Sequence, residues 1–241
     1  MPASAERPID WLDGFYHGSD HERWVTADQG SRFAKQIAGD HNPLHDPDSS
    51  RFCVPGDLLF ALVLRRYGLA RRFALSFRGM LRAGTRLRFP SQPSERFMLA
   101  DENDRDTVEV CHEQPLADDL AGRLALIEAY VACSGETFPD RLGPLLAEAG
   151  VMFNPQRPFL VYDGMNLAMD RAPGADLEVR PLDASLTVNG KRADVQFDYQ
   201  LIDADGTPGT ASKRMVVSGL RAYDAEAMAA VIAAYQARRA Q

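Results

Sequence analysis

The apolar positions of the chain change their period twice. From Gln29 to Ala38, Phe33, Ile37 and Ala38 share one helical face and Gly39 supplies a stop, so a short helix is predicted with Thr26 as its cap. From Pro55 to Tyr67 the chain is apolar on nearly every side until Arg65. A helix with no face to offer water is a buried one. After Gly68 the pattern shortens: Arg72 to Phe77, Thr85 to Phe89, Glu95 to Ala100 and Thr107 to His112 are separated by Gly79, Gly84, Pro90 and Asn103-Asp104. These segments read as antiparallel strands. A short opening strand falls at Trp24 and Val25, and Trp11, Phe15 and Tyr16 are anchors for the polar, irregular stretch from Met1 to Asp20. One long helix covering one face of several antiparallel strands is an α+β layout.

Ala117 to Asp119 is acidic and loop-like and divides the chain into residues 1–118 and 119–241. Past it the same order is expected to recur. Leu124 to Gly135 is strand-like, Pro139 to Gly150 helix-like, and Phe159 to Arg171 takes the place of the apolar helix. Strands follow at Leu177 to Arg180, Ala184 to Val188, Ala193 to Asp203 and Ser212 to Tyr223, with hairpin turns at Asn189-Gly190 and Asp205-Gly206. Phe52 to Ala61 set against Phe159 to Ala168, with Asn154-Pro155 echoing Asn42-Pro43, is the trace a duplication would leave. The tail carries Met228, Val231, Ile232 and Tyr235 at helical spacing after Asp224 and closes on Arg238-Arg239.

Composition narrows the function classes. With 241 residues, 45% hydrophobic and 25% charged, the chain has material for a sizeable core, and disordered and membrane classes are disfavoured. A net charge of -7 argues against nucleic acid, which needs a concentrated basic surface. Arg65, Arg66, Arg71, Arg72, Arg78, Arg82, Arg86 and Arg88 do cluster. They read either as solvated strand and helix ends or as a rim for the phosphates of a nucleotide-bearing carrier. Three scattered cysteines, no basic-then-apolar N-terminus and no apolar run longer than Leu58 to Leu64 predict a cytoplasmic protein with buried thiols and no membrane partner.

Candidate chemistry gathers between the two helices. Pro43 lacks an amide and pushes Asn42 towards extended dihedrals, so Asp40 to His45 is a loop that can bend Asp40 and His45 towards each other. A carboxylate and an imidazole held this way can bind one water, one taking its proton while the other aligns it. Asn42 suits bracing the loop. Pro55-Gly56 opens the apolar helix, and its free amides suit a developing oxyanion that a glycine lets approach closely. Asp57 beside them is favoured by the helix dipole, yet would repel that charge if it turned inward. His41, His45, Asp40, Asp46 and Asp48 crowd like metal ligands, but Pro43 breaks the helical spacing of the two histidines, and neither metal nor cofactor is expected. Lys191 and Lys213 belong to no motif.

Gly39, Asp40, Asn42, Pro43 and His45 match Gly-Asp-x-Asn-Pro-x-His, and together with the apolar helix after Pro55-Gly56 the stretch resembles the signature of hotdog-fold, MaoC-like (R)-specific enoyl-CoA hydratases and acyl dehydratases. That resemblance implies a double hotdog with a catalytic pair at Asp40 and His45 and an oxyanion donor at Gly56. Pro55, Asn42 and Asp57 would help hold the substrate, an acyl thioester of coenzyme A or acyl carrier protein. The second half, with no counterpart of the pair, would complete the acyl tunnel, in a monomer imitating the usual dimer or in a homodimer. The family has His-Gly-Met or a similar triplet where this chain has Pro55-Gly56-Asp57. An acyl-binding module without turnover is therefore the alternative, and a thioesterase a weaker one. The whole chain also resembles a bacterial family recorded as a domain of unknown function that shares the Arg51 to Phe60 run, which implies no activity.

Overall fold

The structure, a computed structural model, describes residues 11–240. The polar, leaderless character expected of Met1 to Asp10 falls outside them. A short 3-10 turn, Trp11–Phe15, leads to strands β1 (His17–Gly18) and β2 (Glu22–Trp24) and helix α1 (Ala27–Gln36). Thr26 and Gln29 close a reciprocal capping box on α1, which satisfies amides that the first turn would otherwise leave bare. Helix α2 (Gly56–Tyr67) follows, then β3 (Ala70–Phe77), β4 (Leu87–Arg88), β5 (Arg96–Ala100) and β6 (Asp106–Pro115). The remainder runs α3 (Leu120–Ala132), α4 (Leu142–Glu148), β7 (Val151–Met152), β8 (Leu160–Met169), β9 (Glu178–Asn189), β10 (Arg192–Asp203), β11 (Gly206–Ser218), β12 (Arg221–Ala222) and α5 (Ala225–Arg239).

Ten strands form one antiparallel sheet in the order β1-β2-β4-β5-β6-β3-β8-β11-β10-β9, while β7 and β12 pair separately. The sheet passes without a gap from one part of the chain to the other through β3 and β8, whose register runs from Arg72 opposite Ala168 to Ser76 opposite Gly164. Helices α2 and α3 fill the core beside it. Every residue of α2 from Asp57 to Leu64 is buried, as an all-round apolar helix requires. Phe60 of α2 packs on Phe73 of β3 at 5.6 Å and on Tyr130 of α3 at 4.8 Å between ring centroids. Tyr130 also meets Tyr199 of β10 and donates its hydroxyl to the Ser212 carbonyl of β11 at 2.6 Å. Each such side chain contributes roughly 1.5–3 kcal/mol by leaving water. Two central helices under a long antiparallel sheet make the molecule an α+β double hotdog.

Four sequence expectations are corrected. Leu124 to Gly135 is not a strand: α3 occupies Leu120–Ala132, capped by the Asp119 carboxylate, which accepts from the Gly122 amide. Its buried Leu124, Ile127 and Val131 are spaced three and four apart, and a dense apolar run hides that period. Phe159 to Arg171 is no counterpart of α2, because it contains strand β8. The proposed match between Phe52–Ala61 and Phe159–Ala168 therefore pairs a helix with a strand, and is no trace of duplication. Burial of the three thiols holds only for Cys133; Cys53 and Cys111 are half-buried.

Candidate functional site

Helix α1 ends where Gly39 turns into positive φ, 65°, and Asp40 donates its amide back to Ala34 O at 2.8 Å. Asp40 Oδ1 then accepts from the Asn42 amide at 2.9 Å, and Asn42 Oδ1 from the Leu44 amide at 3.1 Å. These two side-chain turns do for the loop what a helix can no longer do after Pro43, which opens a single 3-10 turn, Pro43–His45. The Asn42 Nδ2 group donates to Leu160 O of β8 at 3.0 Å, so this residue braces the loop against the other half of the sheet.

His45 is buried, and its ring orientation is fixed by the Cys53 carbonyl, 2.8 Å from Nδ1. A carbonyl only accepts, so Nδ1 carries the proton and Nε2 is left for chemistry. Nε2 faces Asp40 Oδ2 at 3.6 Å, beyond a direct hydrogen bond but close enough for both groups to hold one water. Burial alone would pull the His45 pKa down; the Asp40 carboxylate, the Cys53 carbonyl and the charge of Asp57 outweigh it and leave it raised above the ordinary histidine value.

Pro55 is the N-cap of α2 and offers no side-chain acceptor, so nothing of its own covers the first-turn amides of Gly56 and Asp57. A Cβ on Gly56 would stand 3.1 Å from the Phe77 ring, so any larger residue would have to push that ring aside by a few tenths of an ångström. A cavity of about 440 Å³ brings Asp40, Asn42, His45 and Gly56 onto one wall. A smaller cavity of about 170 Å³, faced by Phe138, Phe153, Val231 and Tyr235, adjoins it; Asp40, Leu160, Tyr162 and Met215 line both. Four of the six candidate residues thus converge. Pro55 and Asp57 lie behind the wall rather than on it.

Asp57 points into the core. Its Oδ1 accepts from Lys213 Nζ at 2.8 Å and its Oδ2 from Ser134 Oγ at 2.7 Å. Lys213 also donates to Ser134 Oγ at 2.7 Å, and its ammonium lies 4.6 Å from the centre of the Tyr130 ring. Tyr162 donates to Ser134 at 2.9 Å and meets Thr137 at 3.1 Å. Burial pushes the Asp57 carboxyl above its usual range, while Lys213 and Ser134 pull the other way. Sequence reading missed Lys213 and Ser134. The signal was available for Lys213, since β11 buries Ala211, Lys213 and Met215 with Ser212 and Arg214 less buried between them, and a lysine in that series faces inward.

Most of the arginine cluster is committed to neighbours. Arg78 pairs with Glu109, Arg86 with Glu22 and Arg88 with Asp104, and Arg82 donates to the Phe52 carbonyl. Arg78 alone of these lines the larger cavity. Among the described residues no group of three or more histidine, cysteine or acidic side chains stands ready to hold a metal, and no helix is long and apolar enough to cross a membrane.

These features describe a double-hotdog protein with an acid and an imidazole side by side on the wall of one cavity. The chain belongs to the family described as Protein of unknown function (DUF3581), whose pattern matches residues 10–226. No curated protein matches it. Among solved structures it is similar to a conserved protein of unknown function with hot dog fold from Alicyclobacillus acidocaldarius, at 9% identity, 88% of this chain, 98% of that one and a TM-score of 0.47. It is similar to acyl-CoA thioesterase II TesB2 from Mycobacterium marinum at 10% identity, with 90% and 99% covered and a TM-score of 0.44. A MaoC-like dehydratase is similar at 10% identity, 87% and 99% covered, with a TM-score of 0.41. Nothing about activity passes from these proteins to this chain.

Proposed function

We propose that the protein is a hydro-lyase acting on an acyl thioester carried by coenzyme A or acyl carrier protein, adding water to a trans-2-enoyl group to give the (R)-3-hydroxyacyl form, or reversing that step. The observation that carries the reading is the Asp40–His45 pair, 3.6 Å apart on the wall of the cavity that Gly56 also lines. Asp40 and His45 bind a water between them. As its oxygen bonds to C3 one of them takes its proton, and the electron pair of the double bond moves to the thioester oxygen. The uncapped amide of Gly56 receives that negative charge, and a proton delivered to C2 from the pair completes the addition. Residues 1–118 supply the pair and 119–241 complete the cavity, whose apolar annex of about 170 Å³ suits a short acyl tail. An apolar cavity of about this size holds a benzene-sized group.

The test is crotonyl-CoA supplied to the purified protein, with the product resolved by chirality. Hydration to the (R)-alcohol is expected, and His45→Ala should remove it. Release of free coenzyme A thiol without an alcohol would make the protein a thioesterase, and saturable binding without turnover would make it an acyl-binding module.

A further inference from the structure

We propose that Lys213 is a positioning residue for the carbonyl site: it draws the Asp57 carboxylate into the core and cancels its charge, leaving the opening turn of α2 able to receive negative charge. The proposal rests on the reading that the Gly56 amide takes the thioester oxygen.

The geometry points to this role in three ways. Lys213 lies on β11, 156 positions from Asp57 in the chain, and its side chain is 0% exposed. An ion pair so deep is costly to form, and an apolar pair of similar size would fill the space as well, so packing alone gives no reason for it. Both oxygens of Asp57 are taken, one by Lys213 and one by Ser134, and the side chain makes no cap to its own helix. The carboxylate is thereby held away from the amides that it would otherwise cover or oppose. Finally, Ser134, which joins the two charges, lines the smaller cavity together with Tyr162, so the network reaches the wall where the ligand would lie. Without Lys213 the Asp57 carboxyl, one residue from Gly56, would be negative only where the pH exceeds its raised pKa, and there it would oppose the charge that the reaction has to build.

The experiment uses the full-length protein, Lys213→Met, and Asp57→Asn combined with Lys213→Met. One readout is the infrared carbonyl band of bound butyryl-CoA carrying a ¹³C label at the thioester carbon. A second is kcat and KM on crotonyl-CoA, and urea unfolding verifies that each variant is folded. Binding to the wild type should move the band to lower frequency. Lys213→Met should lose most of that shift and roughly 10- to 100-fold in kcat with KM changed by less than about twofold, the signature of a lost oxyanion interaction. Removing the Asp57 charge as well should recover most of both. If the double variant is folded and no better than Lys213→Met, or if wild type shows no shift, the proposal is overturned. Should Lys213→Met fail to fold, the double variant decides alone: a retained band shift supports the proposal and a lost one refutes it. A wild-type protein that shifts the band but does not hydrate crotonyl-CoA would remove the hydro-lyase reading and leave this one standing.

Discussion

Two carboxylates flank the candidate site, each with a basic partner, and they are built to opposite ends. Asp40 stands 3.6 Å from an imidazole whose second nitrogen is already anchored, and both line a cavity. Asp57 is 2.8 Å from an ammonium that water does not reach, with its remaining oxygen occupied by Ser134. The first pair keeps a gap and unspent bonding capacity; the second has spent all of it. A charge pair with capacity left can act on a ligand, whereas a fully satisfied one fixes the shape and the field around it.

Substitutions can break that contrast. The largest effect is expected from Asp40→Asn, which keeps the oxygen that accepts from the Asn42 amide but cannot take a proton: kcat on crotonyl-CoA should fall roughly 10²- to 10⁴-fold while the melting temperature hardly moves. Lys213→Met should instead unfold at markedly lower urea, losing about 3–5 kcal/mol because a buried carboxylate is stranded; a loss under about 1 kcal/mol would mean that the pair is not closed. Asn42→Ala removes a turn acceptor and the bond to Leu160, and should cost about 1–2 kcal/mol in the same measurement. The smallest effect is in pH. Because the folded state holds the His45 pKa above its ordinary value, the stability it contributes is complete below about pH 6.5 and fades as pH rises through the folded value. His45→Gln should flatten the stability profile over that window, and an unchanged slope would place the proton elsewhere.

The open pair was legible in the sequence and the closed one was not. Asp40, Asn42, Pro43 and His45 sit within six positions, and proline and Asx chemistry act locally, so a bent loop with an acid and an imidazole follows from the string itself. Asp57 and Lys213 meet only because β11 comes to lie beside α2, and no local rule foretells which strand will do so. The same limit explains the second half. Of the strands after Leu177, β10 alternates cleanly and was readable, as were both hairpin turns and the tail helix capped by Asp224, whereas the two strands expected at Leu177 to Arg180 and Ala184 to Val188 are one, β9, and the one expected at Ser212 to Tyr223 ends at Ser218 before β12. Leu124 to Val131 and Phe159 to Met169 are dense apolar runs, where helix and strand look alike until the partner surface is known.

The uninterrupted sheet has a mechanical consequence. Backbone hydrogen bonds cross from β3 to β8 along five register pairs, so no hinge separates the half that bears Asp40 from the half that bears Lys213. A molecule stapled down its middle cannot gape to admit a guest. The smaller cavity is reached from the larger one that it adjoins, and α5, which buries only Met228 and Tyr235, is the lightly held part of its outer wall.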